Sequence, residues 1–229
     1  MSYRHIFFDL DHTLWDFERN SEETIYELFE ELRLASRIRS PKLVYTSFSK
    51  VNRFLWNEYH SDRISKEELR RRRFEMVLEQ NGVRDESLAE KLSNMYIEIC
   101  PHKPHLLPNA LETLDYLHKK YTLHLISNGF QEVTELKLLG SSLQHFFKTV
   151  CTPSSCGHKK PEKEIFLYAL NQAKANVQES IMIGDDLEAD ILGAKECGMH
   201  QIYFNPLCNT HSYQFTFEIK DMIELKKIL

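Results

Sequence analysis

The sequence predicts an α/β fold: a Rossmann-like parallel sheet core with helices on both faces, interrupted by an inserted small helical domain. Three observations carry that expectation. Short apolar runs end repeatedly in Asp, Ser, Asn or Gly. Helical apolar spacing stands between those runs, and one long interval, 17–100, holds helical spacing alone.

The run Arg4 to Leu10, carrying His5, Ile6, Phe7 and Phe8, reads as a short buried strand that opens onto acid at Asp9. Ile25, Leu28, Phe29 and Leu32 then line a first helix. Ser40 and Pro41 stand at cap and first-turn positions before Val44, Phe48, Val51, Leu55 and Tyr59. Ser65 with Glu68 has the capping-box spacing, Gly82 closes that helix, and Leu88, Leu92, Met95 and Ile99 mark a fourth. Strand grammar resumes with Tyr121 to Ile126, Phe146 to Cys151, Ser180 to Ile183 and His200 to Phe204. Helices flank them, on Ala110, Leu111, Leu114 and Leu117 and on Ile165, Phe166, Ala169, Leu170 and Ala173. The expected organisation is a core of 1–16 and 101–229 with a helical domain at 17–100, and hinges at Trp15 to Arg19 and Pro101 to Pro108.

Five cysteines without a CxxC pair argue against a disulfide framework. The start lacks a secretory pattern, so a cytoplasmic location is expected. A formal charge of -5 and short basic clusters argue against a nucleic acid polymer as partner, and no apolar stretch is long enough to engage a membrane by crossing it. A monomer or small homo-oligomer is expected. Neither His102 with His105 nor Cys151, Cys156 and His158 has structural zinc spacing.

Asp9 and Asp11 directly follow a strand. Carboxylates this close repel each other unless a cation or shared proton compensates, so one can be an ionised nucleophile and the other an acid and base. The alternative is an Asp-rich turn with Thr13 capping a helix. Gly184-Asp185-Asp186 ends another strand, with Asp190 near the next helix. Asp9, a backbone carbonyl and Asp185 would make an oxygen set of the kind Mg2+ prefers, while Asp186, Glu188 and Asp190 also suit a helix N-terminus. Ser127 and Asn128 offer a hydroxyl and N–H groups to phosphoryl oxygens, or an ordinary turn at Gly129. Lys160, before Pro161, offers a compact positive charge, or a solvated one.

DLDHT, LISNG, KKP and GDDLEAD, in that order, resemble the four motifs of the haloacid dehalogenase-like hydrolase superfamily. The insertion resembles the placement of its small helical cap. FFDLDHTLWDFERNS, SNGFQEVTELKLLGSSL, KKPEKEIFLYALNQA and IYFNP resemble its branch of 5′-nucleotidases for pyrimidine and non-standard nucleotides. The resemblance implies Mg2+-dependent hydrolysis of a small phosphorylated metabolite, most specifically a nucleoside 5′-monophosphate. Asp9 would be nucleophile and Asp11 acid and base. Ser127 and Lys160 would be catalytic partners, Asp9, Asp185 and the Asp11 carbonyl metal ligands, and Asp190 supporting. Asp186 stands where relatives often carry a small polar residue, which leaves it as ligand or bystander. Asp11 argues against halide displacement, which needs no leaving-group proton. A sugar-phosphate or small-metabolite phosphatase, a hexose-phosphate mutase, and an inactive binding protein on the same fold are the competing readings.

For the leaving group, Trp15 and Phe17 suit stacking on a base or packing of the hinge. Asn52 and Trp56, four apart, suit one polar and one flat contact, or surface and core. Arg73 ranks above Arg70, Arg71 and Arg72, and Asn128 completes the substrate-binding set.

Overall fold

The structure, a computed structural model, describes residues 3–229. The elements run β1 (His5–Phe8), α1 (Phe17–Glu31), α2 (Pro41–His60), α3 (Lys66–Gln80), α4 (Glu86–Ile99), α5 (Ala110–Leu117), β2 (Thr122–Ile126), α6 (Gln131–Gly140), β3 (Phe147–Cys151), α7 (Pro153–Cys156), α8 (Lys163–Ala173), β4 (Ser180–Gly184), α9 (Gly193–Glu196), β5 (His200–Phe204), β6 (Phe217–Ile219) and α10 (Leu225–Ile228). A π-helical turn, Leu187–Leu192, leads into α9. The chain divides into two compact units, Met1–Phe17 with Pro104–Leu229, and Glu18–Lys103.

The first unit is built on six parallel strands in the order β3-β2-β1-β4-β5-β6. Its central strands are buried on both faces, which is why Ile6-Phe7-Phe8 and Ile181-Met182-Ile183 are continuous apolar runs rather than alternating ones. On one face Phe166, Ala169 and Ala173 of α8 pack with Phe7, Ile126 and Met182. The two chain segments of this unit are stitched together beyond β1. Leu107 N–H donates to the Leu14 carbonyl at 2.9 Å, and Asp16 N–H to that of His105 at 3.1 Å.

In the helical unit, the buried face of α2 is Val44, Phe48, Val51, Asn52 and Leu55, the spacing of one helix stripe. Phe48, Phe74 and Tyr96 from α2, α3 and α4 form a ring cluster with centroids 4.9–5.8 Å apart. Burying Phe48 and Phe74 contributes roughly 2–3 kcal/mol each. The Ser65 and Glu68 capping box forms in full, so two of the free N–H groups at the head of α3 are satisfied. Pro41 occupies the first turn of α2, while the Ser40 hydroxyl makes no cap bond. Among the described residues no helix is long and apolar enough to cross a membrane.

Candidate active site

Adjacent strands bring the acids together. Phe8 is level with Ile183 across β1 and β4, and Asp9 N–H donates to the Ile183 carbonyl at 2.9 Å. Asp9 therefore leaves the sheet beside Gly184 and Asp185. The strand order changes direction between β1 and β4, so their carboxyl ends flank the crevice where open α/β sheets hold ligands.

Lys160 reaches that crevice from the loop before α8. Its Nζ lies 2.5 Å from Asp9 Oδ1 and 2.6 Å from Asp190 Oδ1, with the side chain almost wholly buried. Burial alone would lower its pKa, but Asp190 and Asp9 outweigh that and raise it, so Lys160 stays an ammonium. Burial pushes the Asp9 and Asp190 carboxyls up against the pull of Lys160. Burial, then the Asp9 charge, lifts Asp185 to about 7.

Oxygens of Asp9, Asp185 and Asp190 lie within 4.8 Å of one another. Three carboxylates face one ammonium there, and a divalent cation with hard-oxygen preference fits both the donor set and the excess negative charge. The carboxylate joining Asp9 and Asp185 in this group is that of Asp190, which is fully buried. Its expected part was a supporting one. Asp186, left open as ligand or bystander, caps the π-helical turn: its Oδ1 accepts from Glu188 and Ala189 N–H at 2.9 and 2.8 Å. A Cβ at Gly184 would overlap the Asp190 carboxylate, so glycine there is what lets Asp190 in. Thr13, fully buried, donates its hydroxyl to Asp185 Oδ1 at 2.9 Å. The sequence offered it only a cap.

Ser127 follows β2 and is buried, its hydroxyl accepting from Gly129 N–H at 3.0 Å. The Asn128 amide is engaged by Lys160: Oδ1 accepts from Lys160 N–H at 2.8 Å and Nδ2 donates to the Lys160 carbonyl at 2.9 Å. That side chain positions the lysine rather than standing free for substrate.

Asp11 is held apart from the Asp9 group. Both of its carboxylate oxygens accept from Lys137 Nζ, at 2.6 and 2.8 Å. Lys137 comes from α6, is buried, and lies 4.4 Å from the Trp15 ring centroid and 5.6 Å from that of Phe17. Trp15 itself is fully buried, with Lys137 against its ring, so stacking on a base is closed to it in this arrangement. Phe17 is half-buried and packs on Trp15 at 6.1 Å. Lys137 escaped the sequence reading because a lysine in an amphipathic helix looks solvated, and only tertiary structure sets it against Asp11.

In the helical unit, Asn52 and Arg73 are both buried, and Asn52 Oδ1 and Arg73 Nε have no hydrogen-bond partner. The Arg73 guanidinium lies 5.5 Å from the Tyr96 ring centroid. Trp56 is half-buried, in ring contact with Tyr59 and His60.

Residues 3–198 match the family model of the haloacid dehalogenase-like hydrolases. The chain is 30% identical to the pyrimidine 5′-nucleotidase YjjG of Escherichia coli (strain K12) over 90% of this chain and 87% of that one. It is also 30% identical to the pyrimidine 5′-nucleotidase PynA of Streptococcus pneumoniae (strain ATCC BAA-255 / R6), over 96% and 92%. A solved structure of the HAD-hydrolase YfnB of Bacillus subtilis, described as bound to magnesium, superposes with a TM-score of 0.86 at 25% identity, covering 100% of this chain and 99% of that one. The sheet order, the carboxylates gathered at its switch point and the match across most of the sequence agree: the chain belongs to the haloacid dehalogenase-like hydrolase family.

Proposed function

We propose that the protein is a Mg2+-dependent nucleoside 5′-monophosphate phosphatase working through a phosphorylated Asp9. The family match and the nucleotidase relatives make it a hydrolase of phosphoric monoesters. The observation that carries the nucleophile assignment is the Asp9 carboxylate, 2.5 Å from the buried Lys160 ammonium and grouped with Asp185 and Asp190.

An Asp9 oxygen attacks phosphorus, the bond from phosphorus to the ester oxygen breaks, and the departing oxygen takes a proton from Asp11, which enters this step as the carboxylic acid and leaves it as the carboxylate. Water then attacks the phosphorus of the aspartyl phosphate and gives Asp11 a proton, releasing inorganic phosphate and restoring Asp9. Lys160 holds Asp9 in place, and Ser127 and the N–H groups of its turn meet phosphoryl oxygens. Mg2+, held by Asp9, Asp185 and the Asp11 carbonyl with Asp190 in support, would neutralise the carboxylates and the incoming phosphoryl charge.

Base recognition is assigned to Asn52 and Arg73 of the helical unit, whose unpartnered polar atoms would gain from a polar ligand group, with Trp56 of the same unit as apolar surface. Free cysteines throughout the described residues support a reducing, cytoplasmic setting. The test is phosphate release across nucleoside monophosphates, sugar phosphates and small phosphate esters. Uridine and thymidine monophosphates are expected to lead; equal rates on sugar phosphates would reject the nucleotide preference.

A further inference from the structure

We propose that Lys137 is the positioning residue for the proton-transfer step, holding the Asp11 carboxylate where it can serve the leaving oxygen. The inference rests on the phosphatase reading above.

The two acids of the catalytic loop are each served by a different lysine. Lys160 contacts Asp9 and Asp190, while Lys137 contacts both oxygens of Asp11. A buried ammonium is costly without a counter-charge, and the Asp11 carboxylate lies within ion-pair distance of Lys137. The ammonium also lies over the indole of Trp15, four residues beyond Asp11, and near the ring of Phe17. Trp15 is anchored in turn by bridges to Asp11 and to Leu106. On α6, the Ser141 hydroxyl donates to the Lys137 carbonyl at 2.6 Å, inside the last turn of the helix. Cation, rings and loop therefore define one place for the Asp11 side chain.

A plain clamp on the loop would matter equally for every substrate. A residue that places the proton donor matters in proportion to the basicity of the leaving oxygen. Lys137→Met should therefore lower kcat on phenyl phosphate and on an alkyl ester such as uridine monophosphate by roughly 10- to 100-fold. KM should change little, and the loss on p-nitrophenyl phosphate, whose leaving oxygen needs little protonation, should be much smaller. Lys137→Arg, which keeps a cation, should recover most of the lost kcat, and Asp11→Asn should reproduce the same ranking of substrates. Equal losses on all three esters in a folded Lys137→Met protein, or no loss on any, would overturn the proposal. Lack of hydrolysis of all three by the unaltered protein would instead reject the phosphatase reading, and circular dichroism of each variant separates both results from misfolding.

Discussion

Asn128 holds the backbone of Lys160 by both of its polar groups, accepting from its N–H at 2.8 Å and donating to its carbonyl at 2.9 Å. The lysine that meets Asp9 is thereby located through its backbone by a side chain from the turn after β2. Asn128→Ala removes both bonds and should cost on the order of 1–3 kcal/mol of stability. It should also lower kcat more than it raises KM. Denaturant unfolding together with steady-state kinetics on one phosphate ester reads both effects; an unchanged kcat would contradict the positioning role.

Gly184 gives a second prediction, from sterics alone. The Asp190 carboxylate that a Cβ would strike cannot swing aside, because it is held by Lys160 at 2.6 Å and by Asp186 N–H at 3.1 Å. Gly184→Ala should therefore destabilise by about 1–3 kcal/mol and remove most activity together. A stable and fully active variant would show that the Asp190 position is not needed.

The buried carboxylates predict a metal effect visible without turnover. Mg2+ should raise the thermal midpoint of the protein, because a ligand that binds only the folded state stabilises it by roughly 3 kcal/mol at a hundredfold excess over Kd. Asp185→Asn, which removes a charge from the group of Asp9, Asp185 and Asp190, should weaken that rise strongly. Differential scanning calorimetry with and without Mg2+, after chelation, makes the comparison; equal shifts in both proteins would move the metal elsewhere.

His124 predicts how stability responds to acid. It is fully buried in β2, stacked on Phe7 at 4.6 Å, with its ring nitrogens 3.1 Å from His5 Nδ1 and 2.8 Å from Thr149 Oγ1. Burial, aided by His5 and Lys148, lowers its pKa from 6.5 to about 4. A folded-state pKa below the unfolded value means that the neutral ring favours the fold above pH 6.5. This contribution is lost as pH falls through about 4. His124→Gln should therefore be less stable than the parent at pH 7. The gap should narrow by on the order of 1–3 kcal/mol on titration to pH 4. A gap that stays constant with pH would show that the ring is not titrating as described.

The reach of the sequence follows from which signals are local. Ile6-Phe7-Phe8 and Ile181-Met182-Ile183 announce central strands because both of their faces are covered, and the acids at their ends announce the crevice. β6 was missed: it is three residues long, lies at the sheet edge, and only Ile219 of it is buried. The Ser65 capping box was legible because cap and partner are three residues apart. Lys137, 126 positions from Asp11, and Thr13, 172 positions from Asp185, carry no such local mark. Asp186 and Asp190 were hard to tell apart for the same reason. Their separate jobs, capping the turn and meeting Lys160, depend on which carboxylate the Gly184 backbone admits.

The central claim is that Asp9 carries the phosphoryl group, and the most direct measurement is acid quenching of the protein during turnover followed by mass mapping of its peptides. A phosphoryl adduct on the peptide containing Asp9, lost in Asp9→Asn together with turnover while the fold is kept, is the expected result. An active protein that carries no adduct, or carries it on another residue, would contradict the account.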